Sequence, residues 1–208
     1  MSAVTHAEHD HHGPAQYTYQ PYPIRVGPVP LGLLIFLTSE IALFGAFFLY
    51  YGHARIFNNL AWPAEGFEIP ADNTSINTAI LVASSFTCEL AFLSLMKDRR
   101  KGLLWWLIAT VILGGIFLGL QMREYHDIGF LPSTNAQGSA FFSLTGLHGA
   151  HVFIGLTLLM FCIVRVIRGH FTPKKYTGLL VTSIYWHFVD IVWILLYTLV
   201  YLLPDNVT

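Results

Sequence analysis

Residues 183–203 read SIYWHFVDIVWILLYTLVYLL. The run is long and apolar enough to cross a bilayer as a helix, since ~30 Å of hydrocarbon needs ~20 residues. Yet it carries His187 and Asp190 near its middle. Residues three apart share a helix face, so an imidazole and a carboxyl group stack at membrane depth. A charged side chain there costs roughly 2.5–3.5 kcal/mol on insertion scales, which turns such groups toward protein rather than lipid. The rest of the chain must supply that protein.

Composition agrees. Of 208 residues, 54% are hydrophobic and only 11% charged, against roughly 25% charged in a soluble domain. Five blocks read as spans, near Leu31–Tyr51, Ile76–Met96, Leu103–Gln121, Ala140–Val164 and Leu179–Leu203. The expected fold is therefore all-α, a polytopic transmembrane bundle of five helices occupying residues 31–208 after an arm at residues 1–30. A net charge of −1 without a basic cluster gives no sign of nucleic-acid binding. Cys88 and Cys162 lie inside apolar blocks with no partner at ligand spacing, which argues against a disulfide or thiolate metal site.

The arm is polar and proline-rich, without the basic start and apolar core of a signal peptide. Its His6, His9, His11 and His12 read as a solvated tail, with metal binding as the alternative. Of the eleven lysines and arginines, nine fall before the first span or in the second and fourth connections, leaving Arg55 and Arg123 on the other side. By the positive-inside rule the N-terminus is inside and the C-terminus outside. Tyr50, Tyr51, Trp105, Trp106 and Tyr201 fall where an interfacial aromatic belt is expected.

At 1.5 Å per residue, Glu40 lies roughly 14 Å deep, and Asp190 and His151 each roughly 16 Å, so all three reach the midplane. His148 shares the face of His151 one turn nearer the outside, and Glu89 lies about 10 Å from the inner end of its span. Glu40, His148, His151, His187 and Asp190 are expected to project inward and form one or two hydrogen-bonded clusters. Two readings stand. The clusters pin helices together, or they handle protons or sense lipid. Gly115 and Gly119 form a GxxxG pair, and Gly146, Gly149 and Gly155 punctuate the fourth block, the pattern of close helix packing. Histidines three apart on one helix are too close to serve two haems, although one haem between His151 and His187 is geometrically allowed. Copper lacks a third histidine or a thiolate at that depth. No redox centre is expected in this chain.

Five segments in order, GLLIFLTSEIALFGAFF, TSINTAILVAS, GIFLGLQMREYHD, LTGLHGAHVFIG and SIYWHFVDIVW, resemble the successive signatures of subunit III of the haem–copper terminal oxidases. The resemblance covers all five spans and is similar to the five-span bacterial form, in which the first two helices of seven-span members are absent. It implies that Glu40 matches the family's buried carboxyl that reacts with hydrophobic carbodiimides, and that His148 and His151 match the histidines of its HGxHV helix. Arg165, Arg168 and His170 match basic positions that hold phospholipid headgroups, which suits cations at an inner interface. Topology determination explains the same cations equally well. In seven-span members a V-shaped cleft holds lipid, and here it lacks one wall unless a neighbouring subunit closes it.

The resemblance further implies an accessory subunit that carries no haem or copper, those groups residing in partner subunits. Its partners are the catalytic subunit I, subunit II, membrane lipids and, beyond them, a respiratory supercomplex. Its implied roles are to stabilise subunit I, sustain proton uptake at high turnover, slow turnover-dependent inactivation and guide oxygen. The expected location is the bacterial plasma membrane. Cytochrome c is the expected electron donor of the complex, with a quinol oxidase as the alternative. A proton-coupled transporter is a remote third reading, disfavoured because no repeated halves or mid-span proline occur.

Overall fold

The computed structural model describes residues 28–57, 71–128, 132–133 and 136–202. The arm with its four histidines and the loop at residues 58–70, including Trp62, lie outside the described residues. Five helices follow in order: α1 Pro28–Phe57, α2 Ala71–Met96, α3 Arg100–Asp127, α4 Ala136–Ile167 and α5 Thr177–Tyr197, the last continued by a π-helical turn at Thr198–Leu202. All five are long and apolar enough to cross a membrane, and no strand occurs among the described residues. The expected all-α five-span bundle is present.

Helix ends follow from local chemistry. α2 stops in a left-handed residue, Asp98 (φ 52°), with Arg99 N–H donating to Ser94 O at 2.8 Å and Asp98 N–H to Leu95 O at 3.0 Å. α4 stops the same way at Gly169 (φ 73°), where His170 N–H donates to Arg165 O and Gly169 N–H to Val166 O, both at 3.0 Å. These paired bonds are the Schellman closure, in which a left-handed residue lets the chain satisfy terminal carbonyls that the helix leaves open. Glycine adopts that conformation without the steric penalty a Cβ brings. Arg100 strengthens the α4 end from a neighbouring helix. Its Nε and one terminal nitrogen donate to Val166 O at 3.1 and 2.7 Å, and that nitrogen also reaches Ile167 O at 2.7 Å. A cation over the last carbonyls of a helix is favourable by charge as well as by hydrogen bonding.

α5 is the hub. In its most apolar stretch 56% of residues are buried, against 6% in α1. α5 packs on α1, α2 and α4, whereas α1 and α2 barely meet. Two tryptophans seven residues apart on α5 donate to α2 hydroxyls: Trp186 Nε1–H to Ser84 Oγ and Trp193 Nε1–H to Thr78 Oγ1, both at 3.0 Å. A buried indole thus keeps both its apolar area and its donor satisfied.

The glycines that matter for packing differ from the expected pair. Gly115 and Gly119 face open space, while a Cβ at Gly114 would sit 2.7 Å from the Trp186 ring and one at Gly155 would sit 2.8 Å from it. The close approach is between two helix backbones and an indole rather than between two backbones. The belt expectation also divides: Tyr50 and Trp105 are exposed, but Tyr51 is buried.

Candidate functional site

Of the five polar residues expected inside the bundle, the structure places four in two separate clusters, each joining two helices. In the first, Glu40 of α1 and His151 of α4 meet, Oε2 to Nε2, at 2.8 Å with side-chain exposures of 14% and 10%. His151 Nδ1 lies 2.8 Å from the Leu147 carbonyl one turn earlier, an acceptor only, so Nδ1 carries a hydrogen. A single further proton then lies between Nε2 and the carboxyl group, held by Glu40 as a neutral pair or by His151 as an ion pair. Phe44, one turn after Glu40, packs edge-on against the His151 ring at 4.9 Å, and Tyr185 O–H of α5 donates to the His151 carbonyl at 3.2 Å.

The second cluster joins α2 to α5. Ser85 Oγ–H donates to Asp190 Oδ2, and the same oxygen lies 3.0 Å from His187 Nδ1. With its hydrogen committed to Asp190, the serine oxygen accepts from Nδ1–H, so one hydroxyl relays between imidazole and carboxylate. Beyond it, His187 Nε2 lies 3.7 Å from Glu89 Oε2. The cluster grades from the buried Asp190 through a one-third-exposed His187 to Glu89, whose side chain is 52% exposed.

His148 belongs to neither cluster. Its ring is fully buried, neither nitrogen meets a hydrogen-bond partner among the described residues, and it lies tilted by 33° against Trp193 at 4.8 Å and edge-on against Phe117 at 6.0 Å. It packs as an aromatic ring. Three residues, 100° per residue on a helix, turn it away from Glu40 even though it shares a general face with His151.

Sequence reasoning missed two contributors. Ser85 carries no charge to flag it, although hydroxyls at Thr74, Thr78 and Ser85, four and then seven residues apart along α2, foreshadow a polar stripe. Glu124, three residues beyond the third block as read at Leu103–Gln121, is 8% exposed and accepts a 2.6 Å hydrogen bond from Tyr201 O–H. Beside it a cavity of about 290 Å³ opens between α2 and α3, lined by Asn73, Asn77, Arg123, Glu124 and Asp127 among others.

The three candidate lipid positions are not equivalent. The Arg165 guanidinium lies over the Phe171 ring at 4.9 Å and near Phe161 at 5.9 Å, a cation–π clamp, whereas Arg168 and His170 are exposed. Among the described residues no group of three or more His, Cys, Asp or Glu side chains is arranged to hold a metal ion.

A family model described as cytochrome c oxidase subunit III matches residues 18–204. The chain belongs to that family. It is 42% identical over 174 residues to the cytochrome c oxidase subunit 3 of Thermostichus vulcanus, covering 83% of this chain and 86% of the relative. It is similar also to the subunit 3 proteins of Loxodonta africana, 39% identical over 176 residues, and Latimeria chalumnae, 40% over 180, each match spanning 82% of this chain and 67% of the relative. The five helices therefore belong to a multi-pass membrane subunit of a haem–copper oxidase family.

Proposed function

We propose that this chain is the accessory subunit III of a proton-pumping oxidase that carries electrons from cytochrome c to oxygen, packing on catalytic subunit I in the company of subunit II. It contributes no redox centre and acts by holding a rigid helical body against subunit I, supporting proton uptake there during sustained turnover. The observation that carries this reading is the Glu40–His151 pair. It fixes the least buried helix, α1, to α4 by one proton at mid-membrane, which is what a scaffold with one face given to another subunit requires. The N-terminal ends of α1, α3 and α5 face the inside, and the membrane is the bacterial plasma membrane. Arg168 offers its exposed guanidinium and His170 its exposed imidazole to phospholipid phosphate, while Arg165 braces the loop that presents them.

The test is purification of the tagged chain from native membranes, followed by absorption spectra and oxygen-uptake assays. Co-elution of haem-bearing subunits that oxidise reduced cytochrome c is expected. Oxidation of quinol alone would transfer the chain to a quinol oxidase, and elution without haem would remove it from an oxidase altogether.

A further inference from the structure

Among the described residues α1 and α2 each pack on α5 but scarcely on one another, so a strip of α5 remains open between them. Helical spacing identifies it: Ile184, Ile191 and Leu195 are exposed on the face that also carries the partly exposed His187. On the α2 side the groove is flanked by exposed Phe86 and Leu93, with Glu89 between them. Phe188 and Tyr185, which reach Phe44 and Phe36, turn the adjoining flank of α5 toward α1. The result is an apolar groove one helix wide with a carboxyl group on its rim.

Glu89 decides what fills it. It lies seven residues, about 10 Å, inside the end of α2. Its side chain is half exposed, and among the described residues it has no hydrogen bond; His187 Nε2 lies 3.7 Å away. Lipid tails offer nothing to a carboxyl group at that depth, and intramembrane acids are accommodated by facing protein donors. Ser85 and Asp190 are already committed to one another on the buried side.

We infer that the groove between α1 and α2 over α5 receives a membrane-spanning helix of a neighbouring subunit, which brings a hydrogen-bond donor to Glu89. This rests on the oxidase-subunit reading above and adds to it which face is covered and by what chemistry. The donor completes the line from Asp190 through Ser85 and His187 to Glu89, so the second cluster is an interface element, finished only on assembly.

The test uses the complex purified from native membranes with a photo-crosslinking benzoylphenylalanine at position 86 or 93. The expected adduct joins this chain to one spanning peptide of a co-purifying subunit, a peptide bearing a hydroxyl, amide or basic side chain at the crosslinked level. In parallel, Glu89→Leu is expected to be lost from the complex roughly three- to twentyfold faster in detergent washes, the range of hydrogen bonds between spanning helices. Glu89→Gln, which keeps an acceptor, should retain most of the association. Adducts to lipid alone, to no neighbour, or to a helix without a donor overturn the inference, as does normal retention of Glu89→Leu. Any of these results in a haem-bearing complex leaves the oxidase reading standing; elution of the chain without haem defeats both.

Discussion

The two polar clusters solve the same problem in opposite ways. Glu40 and His151 are closed: both ring nitrogens are engaged, both side chains are nearly buried, and Phe44 and Tyr185 seal the contact. The α2–α5 cluster is buried at Asp190 and open at Glu89. The difference teaches that an acid in a spanning helix can be a fastener within a subunit or a fastener between subunits, and that exposure at depth tells them apart. It also reverses what helix burial alone suggests. α1 is the least buried helix yet carries the enclosed pair, whereas α5 is the most buried yet lends His187 to the open one.

The largest effect expected within this comparison is from Glu40→Ala, which strands His151. The loss lies between ~1.7 kcal/mol, the upper end for hydrogen bonds joining spanning helices, and about 3 kcal/mol, the lower end for stranding half of a buried ion pair. Detergent-induced unfolding of the purified subunit reads it out. Replacing both residues with leucine should recover part of that loss, because no polar group is left alone; a double variant as unstable as the summed singles would mean the two do not act as a pair.

Next comes Gly155→Val. Its branched side chain enters the space of the Trp186 ring, where even a Cβ would lie at 2.8 Å. Overpacking of this kind costs about 1–3 kcal/mol, and it should appear as a shifted indole fluorescence together with a lower melting temperature. The same change at Gly115, which faces open space, should leave both unaltered. Equal effects at the two positions would break the assignment of Gly155 as the packing glycine.

The smallest effect is expected from Ser85→Ala, about 1–2 kcal/mol for the two hydrogen bonds its partly exposed hydroxyl makes. It should also weaken the influence of Glu89 on subunit retention, since the relay to Asp190 is cut. A double-variant comparison of Ser85→Ala with Glu89→Leu checks this; strict additivity would show that the two ends of the cluster are independent.

Much of this architecture was legible in the chain. Five apolar blocks of spanning length give the helix count, and depth arithmetic alone brings Glu40 and His151 to one level. What depth could not supply is azimuth across helices. His148 and His151 differ by three residues and looked equivalent, but only one faces α1, and the other fills an aromatic slot beside Trp193. Ser85 was invisible because its role comes from neighbours on α5 rather than from its own chemistry. The packing glycines were misjudged for a related reason. GxxxG spacing describes backbone meeting backbone, while here a tryptophan from a third helix fills the gap.

The most direct check is to isolate the oxidase from native membranes with Glu40→Ala in this chain, then measure haem content, the amount of this subunit retained and the decay of oxygen consumption over prolonged turnover. Haem content unchanged, with this subunit partly lost or activity decaying sooner than in the wild type, is the predicted result. Loss of haem, or a complex indistinguishable from wild type in all three measures, would contradict it.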